Sequence, residues 1–213
     1  MKQTKVFVVT SHGILNEGIC HLLEDALTQR SVCGVGTFSD LLISTEIRKP
    51  DVIVLAEPVF GLPISYVVRK IREMNKNSRI VVLQYRLGIF SPYRLFRCGV
   101  YAVLHEDCTV TDLRQAVRNA ENRRPFVTEY AAESLAMDRS RSDAPHLEFS
   151  DREAETFFMI VNGYTTREIA EALGVNSNVI SMRKSSIGRR INVESISEMV
   201  QYALAHDIVR KIN

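Results

Sequence analysis

Short apolar runs recur along the first 125 residues and are separated by longer stretches with helical spacing. The runs are four or five residues long, mostly β-branched and apolar on both faces, which is typical of strands buried in a parallel sheet. They lie at residues 6–9, 32–35, 52–56, 80–83 and 101–104. The pattern predicts five parallel strands alternating with five helices, which is a doubly wound, flavodoxin-like α/β fold.

The stretches between the runs indicate helices with one apolar face. Ser91-Pro92 marks a helix start, because serine is a good N-cap and proline suits the first helical position, and this helix should end near Gly99. Other helical faces begin near Tyr66 and Leu113. The face predicted for the first helix contains Ile14, Leu15, Gly18, Ile19, Leu22, Leu23 and Leu27.

The sequence pattern changes after residue 125, where prolines and charged residues replace the apolar runs. A short helix is predicted at 129–137, inside a stretch from 126 to 146 that has the composition of a linker. From Phe149 the pattern is helical throughout, and three helix starts carry a Ser/Thr-x-x-Glu capping box. The sequence therefore predicts an α/β domain at 1–125, a linker at 126–146 and an all-α domain of four helices at 147–213.

Two of these C-terminal helices follow each other closely. The helix at 166–173 should end at Gly174, and Asn176 or Ser177 is a good N-cap for the next one. So short a connection makes the helices cross steeply, as in a helix-turn-helix, whose second helix enters the major groove of DNA. Val179 or Ile180 should face the core, together with Ile187 and Ile191.

Charge along this second helix supports a nucleic-acid surface. The whole chain has a formal net charge of only +2, but no acidic residue lies between Glu171 and Glu194. A local basic stripe suits phosphates, exposed Asn and Ser side chains can read base edges, and Met182 suits thymine methyl groups. The predicted DNA-binding residues are Thr166, Arg167, Asn178, Ser181, Met182, Arg183, Lys184, Ser185, Arg189 and Arg190.

The C-terminal third resembles the LuxR/NarL family of transcription regulators. The resemblance rests on FSDRE at 149–153, GYTTREIA at 163–170, LGV at 173–175 and the isoleucines that lead to INV at 191–193. The run ISMRKSS at 180–186 is most similar to the RcsB-like branch. The resemblance implies DNA binding through the second helix and dimerisation through the last helix, at 195–205. Ser181 and Ser185 stand where relatives often carry lysine, so the base preference does not transfer.

The N-terminal half resembles a response-regulator receiver domain that has lost its chemistry. Phosphoryl transfer to a receiver needs a nucleophilic carboxylate, acids that hold Mg²⁺ and a lysine. In the matching register Thr10 and Ser11 replace the metal-binding acids, and Ala56 replaces the phosphoacceptor. Gln84 replaces the switch Thr/Ser, and Glu106, or else His105, replaces the lysine. The resemblance therefore predicts a pseudo-receiver that is not controlled by aspartyl phosphorylation.

Receivers of this family commonly dimerise through the fourth helix, fifth strand and fifth helix. Exposed aromatics and arginines suit such an interface. The candidates are Tyr93, Arg97, Tyr101, Arg114 and Arg118, while Phe96 fits the core equally well. We expect double-stranded DNA and a second copy of the chain as partners. A heterodimer with a related, phosphorylatable regulator is the alternative.

Other functions are disfavoured by the sequence. Without a long apolar segment or a secretory start, a cytoplasmic chain that does not enter the membrane is expected. No cofactor or metal ligand spacing is present, and no nucleophile elbow or phosphate loop favours an enzyme. The four cysteines should be reduced, although a redox pair of Cys98 and Cys108 stays open.

Overall fold

The computed structural model describes residues 3–24, 30–85, 89–137 and 144–209. The chain divides into two compact units. The first contains the described residues up to Leu135 outside the segment 89–91, and the second contains that segment and the described residues from Ala136 onward. Among the described residues, no helix is both long enough and apolar enough to span a bilayer.

A parallel sheet forms the centre of the first unit. Its strand order is β2-β1-β3-β4-β5-β6, which confirms the predicted doubly wound arrangement. The prediction of five strands was wrong, because Phe126–Val127 forms a sixth strand by pairing with Ala102 and Val103. A strand of two residues is too short to have a periodicity of its own. The strands are β1 Thr4–Val9, β2 Arg30–Val35, β3 Val52–Ala56, β4 Arg79–Gln84, β5 Ala102–His105 and β6 Phe126–Val127.

Helices cover both faces of this sheet. On one face α1 and α5 pack together over alternate residues of β1, β3, β4 and β5, and on the other α2 packs against α3. All of β3 and β4 is buried, as expected for strands with helices on both sides. The helices are α1 Gly13–Leu23, α2 Phe38–Arg48, α3 Ile64–Met74, α4 Pro92–Arg97, α5 Val110–Glu121 and α6 Glu129–Met137.

The predicted inner face of α1 was partly wrong. Ile14 is 90% exposed and Leu22 is also exposed, whereas Asn16 is buried beside Ile19. The Asn16 side-chain amide donates to the Val8 carbonyl at 3.2 Å and the Val35 carbonyl at 3.3 Å, joining the ends of β1 and β2. A buried, hydrogen-bonded asparagine rotates the helix away from its hydropathy pattern. Leu27, predicted on the same face, lies outside the described residues.

Chain that was predicted as linker contributes to the first unit. Both β6 and α6 lie within 126–146; α6 has the predicted bounds, and its residues as far as Leu135 belong to the first unit. Thr128 joins the two, since its hydroxyl donates to the Val103 carbonyl at 2.9 Å and accepts from the Ala131 N–H at 3.2 Å. The linker residues 138–143 lie outside the described part of the chain.

The second unit contains a 3₁₀ turn, Pro145–Glu148, and four helices around one core. The three predicted capping boxes are present, with Ser150, Thr165 and Ser195 each bonding the glutamate three residues on. Each satisfies helix-end N–H groups that would otherwise lack partners. The helices are α7 Asp151–Val161, α8 Thr166–Leu173, α9 Ser177–Ile191 and α10 Ile196–Ala205.

Candidate nucleic-acid interface and the carboxyl edge of the sheet

The turn between α8 and α9 is three residues long. Gly174 ends α8 in the left-handed conformation, with φ of +65°. Asn176 caps α9 by accepting the Asn178 N–H at 2.8 Å. The two helices pack through buried Ile169 and Ile180, which gives the predicted helix-turn-helix. Of the two core candidates at the start of α9, Ile180 is 1% exposed and Val179 is 37% exposed.

One face of α9 is open to solvent and polar, apart from Met182, which is 73% exposed. Ser181 and Ser185 donate their hydroxyls to helix carbonyls four residues earlier, Ser177 and Ser181, at 3.1 Å each. Because the neighbouring serines are small and bond to their own helix, the Met182 side chain projects beyond them and is accessible to a partner surface. Most of the predicted contact residues on α9 are exposed, namely Asn178, Ser181, Met182, Ser185 and Arg189, whereas Arg183 and Lys184 are half-buried. In the first turn of α8, Arg167 is exposed and Thr166 is half-exposed.

Two of the predicted basic contacts have distinct local surroundings. The Arg190 guanidinium donates to the Glu148 carbonyl at 3.1 Å and lies 3.8 Å from the Glu153 carboxylate. Burial works against ionisation of Glu153, but hydrogen bonds from Ser150 and Ser186, with the charge of Arg190, lower its pKa. Nη1 of Arg183 is buried without a hydrogen-bond partner among the described residues. The acid-free stretch could not reveal this difference, because Glu148 and Glu153 lie outside it.

Close packing behind α9 was not foreseen from the sequence. Gly188 is buried, and a Cβ there would lie 2.7 Å from the Val193 carbonyl and 3.4 Å from the end of Met199 on α10. Only glycine lets α9 approach the following turn so closely. The sequence signal that could have indicated this close packing is a glycine at a core position of a predicted helix.

A histidine cluster joins the 3₁₀ turn to α10. Nδ1 of buried His146 lies 2.9 Å from the Tyr202 hydroxyl, and the His206 ring packs against both rings at 5.0 and 4.3 Å. Burial raises the pKa of Tyr202, while a hydrogen bond with His146 works in the other direction. The cluster fixes the start of the second unit against its last helix.

The carboxyl ends of β1 and β3 hold the positions where a receiver would carry its acids, and the end of β4 holds the position of its switch Thr/Ser. Thr10, Ala56 and Gln84 lie there and are 2%, 0% and 1% exposed. Ser11 is exposed and accepts the Phe60 N–H on its hydroxyl at 2.6 Å, and Thr10 accepts the His12 N–H at 3.4 Å. The Ser11 hydroxyl therefore joins the loops after β1 and β3, whereas the Thr10 hydroxyl bonds within the loop after β1. Ala56 offers only a methyl group.

The last position of β5 is occupied by a histidine. His105 pairs with Gln84 in the sheet, and Glu106 follows it and is exposed. The Asp107 carboxylate lies 3.1 Å from Nδ1 of His105. Of the two residues considered for the lysine position, His105 is the one in register with the switch position.

A carboxyl group also lies directly after β3, on Glu57. Burial of the group raises the pKa of Glu57 to about 7, and a hydrogen bond from the Tyr85 backbone opposes the shift. A raised carboxyl pKa disfavours folding as the pH rises from the unfolded pKa towards 7, since the folded state keeps the proton that the unfolded chain releases.

The predicted dimer residues do not share a single environment. Arg97 lies over the exposed Tyr93 ring on α4, 5.8 Å from its centroid. Nε of Arg114 donates to the Leu22 carbonyl of α1 at 2.9 Å, while Tyr101 packs partly against the core beneath α1 and α5. Arg118 is exposed on α5. Tyr93 and Arg97 are thus together, and Arg114 contacts a different neighbour.

These features define a two-unit chain with a receiver-like sheet and a helix-turn-helix domain. Residues 147–203 match the model of bacterial regulatory proteins of the luxR family, so the chain carries a luxR-family domain. The response regulator GacA of Pseudomonas aeruginosa is 23% identical over 208 residues, which cover 96% of this chain and 97% of GacA. Fimbriae Z protein of Salmonella typhimurium is 22% identical over 98% of this chain and 100% of its own length.

A solved structure has the same overall fold. RcsB from Salmonella enterica serovar Typhimurium, bound to promoter rprA in the presence of phosphomimetic BeF3-, matches with a TM-score of 0.73 and 19% identity, covering 94% of this chain and 98% of that one. The relatives over the full length are LuxR/NarL-type response regulators.

Proposed function

We propose that this chain is a sequence-specific DNA-binding transcription regulator that acts as a dimer and is controlled independently of aspartyl phosphorylation. The observation that carries the proposal is the open face of α9, where exposed Asn178, Met182 and Arg189 follow a short turn from α8. In this arrangement base edges meet the amide and the methionine, and phosphates meet the cations. RcsB, which shares the fold, was solved bound to a promoter. Residues 147–213 form the proposed DNA-binding domain.

Independence from phosphorylation is supported by the carboxyl edge of the sheet. Ala56 cannot act as a nucleophile, and Thr10 and Ser11 use their hydroxyls within the loops. Burial raises the pKa of the neighbouring Glu57 to about 7, which disfavours its charged form. Positions 10, 11 and 56 therefore supply neither acids that hold Mg²⁺ nor a carboxylate that attacks phosphorus.

The alternative is an auxiliary regulator that works as a heterodimer with a phosphorylatable relative. The exposed Tyr93–Arg97 pair on α4 supports an interface of either kind. Gel-shift titration of the purified full chain over genomic fragments separates the two. We expect tight binding of particular fragments by the chain alone, and binding that needs a second regulator would favour the heterodimer.

Phosphodonors should have no effect on this protein. Incubation with acetyl phosphate and Mg²⁺ should leave the intact mass, the oligomeric state and DNA binding unchanged. Ala56→Asp should not restore phosphorylation, because the new carboxylate lacks metal ligands and a lysine, which together contribute several kcal/mol of barrier lowering. A stoichiometric phosphoryl group on the first unit, seen by intact-mass spectrometry, would contradict the pseudo-receiver.

A further inference from the structure

The chain does not leave the first unit after α5, although the sheet already has five strands. Phe126 and Val127 pair with β5, and the Thr128 hydroxyl then donates to the Val103 carbonyl at 2.9 Å while it caps α6. This anchors the first turn of α6 beside the carboxyl end of β5. The helix that leads towards the second unit therefore starts at the edge where receivers are phosphorylated.

Tyr130 is the main contact between α6 and this edge. Its ring packs against the ring of His105, the last residue of β5, at a centroid distance of 4.8 Å. Its hydroxyl oxygen is buried without a hydrogen-bond partner among the described residues. Burial, with the nearby charge of Glu57, raises the pKa of Tyr130 to about 12. Tyr130 thus contacts the end of β5 and lies near the carboxyl group of Glu57.

Few side chains of α6 are fully buried. Ala131 is fully buried and Ser134 is 6% exposed, while Glu133 and Ala132 are exposed. Leu135 of the same helix is half-buried. Apart from Leu135 and the Tyr130 ring, the inward side chains of α6 are small and bury little apolar surface. A buried hydroxyl without a partner also reduces the stability of the docked state. Helices held by few apolar contacts are the elements that open locally in native proteins.

We propose that α6 is a detachable strap over the carboxyl edge of the sheet, held by Tyr130, and that its release regulates the protein by lengthening the tether to the second unit. When α6 is docked, the first unit holds the chain as far as Leu135; when α6 is released, it holds the chain only as far as Thr128, so the connection to the second unit is longer. A longer tether lowers the effective concentration of the second DNA-binding unit at a paired site. This last step rests on the proposed DNA binding by a dimer, whereas docking of α6 does not.

Hydrogen exchange of the full-length protein tests the strap. Tyr130→Ala should speed amide exchange in α6 by about tenfold or more, while β3 and β4 keep wild-type protection. Ala131→Arg, which places a charge at a fully buried position, should have the same local effect. Tyr130→Phe should retain protection, and Glu133→Ala, on the exposed face of the same helix, is the matched control.

Two results would overturn the strap. Wild-type protection of α6 in Tyr130→Ala and Ala131→Arg would mean that Tyr130 does not hold it. Loss of protection across the whole sheet would mean that α6 is an integral part of the fold.

Titration of the same full-length variants with DNA tests whether release of α6 changes DNA binding. Tyr130→Ala should lower the affinity for a fragment with two half-sites by about five- to tenfold relative to one half-site, through the lower effective concentration. Unchanged affinity with a released α6 would refute the regulation. If the wild type binds no DNA, the proposed function fails, and hydrogen exchange still decides whether α6 is a strap.

Discussion

Arg30→Ala should destabilise the first unit by about 3–5 kcal/mol, as expected when one partner of a buried ion pair is removed. Nε and Nη2 of Arg30 donate to the two carboxylate oxygens of Glu121 at 2.6 and 2.8 Å, in a bidentate arrangement. The two side chains are only 5% and 18% exposed. Arg30 begins the edge strand β2 and Glu121 ends α5, so the pair joins residues 91 positions apart. Chemical denaturation followed by circular dichroism measures the loss.

Glu121→Ala should cost a similar amount, because it leaves the buried guanidinium without its partner. The double variant Arg30→Met/Glu121→Leu should recover most of the loss, since a well-packed apolar pair often replaces a buried ion pair without penalty. The control is Lys70→Ala, which removes the exposed pair between Lys70 and Glu73 at 2.9 Å and should change stability by less than about 0.5 kcal/mol. Equal effects of Arg30→Ala and Lys70→Ala would show that burial does not strengthen the first pair.

Burial on both faces made most of the sheet predictable. β3 has the predicted bounds of 52–56, since its five apolar residues are all fully buried. The edge strands depended on partners: β6 exists only through its pairing with β5, and β2 extends back to Arg30, whose polar side chain breaks the apolar run. Sequence periodicity cannot report an element whose stability comes from its neighbour.

Polar side chains that bond within the core were the main source of error in the first unit. Asn16 turns α1 so that Ile14 faces solvent, which reverses a hydropathy argument. The start of α2 carried a usable signal, since the Thr37 hydroxyl accepts the Asp40 N–H and donates to its carboxylate, the same spacing as the C-terminal capping boxes. Local hydrogen bonds of this kind can be read from spacing, whereas long-range ones cannot.

The C-terminal helices were predictable because their caps are local. α8 has the predicted bounds, and Asn176 is the N-cap of α9. Arg190 differs from Arg189 in its tertiary contacts, because the partners of Arg190 belong to the 3₁₀ turn and to α7. The fate of a basic side chain on a recognition helix therefore depends on acids and carbonyls that are distant in sequence.

Lys184→Ala/Arg189→Ala should lower the affinity for DNA by about 10- to 100-fold near physiological salt. Lys184 and Arg189 are two cations of α9 that form no ion pair with an acid among the described residues, whereas Arg190 lies 3.8 Å from Glu153. Each phosphate contact releases counterions, so losing two should flatten the dependence of log K on log salt by about two units. Fluorescence anisotropy over a series of salt concentrations measures both quantities.

Three further variants make this result specific to the α9 surface. Lys76→Ala/Arg124→Ala removes the same charge from exposed positions of the first unit and should leave the salt slope unchanged. Arg190→Ala should act mainly on the stability of the second unit, because the guanidinium bonds the Glu148 carbonyl. Met182→Ala should weaken discrimination between sites without altering the slope, since an apolar contact with a thymine methyl carries sequence information but no charge. If the Lys76/Arg124 variant flattened the slope as much as the Lys184/Arg189 variant, DNA binding could not be assigned to α9.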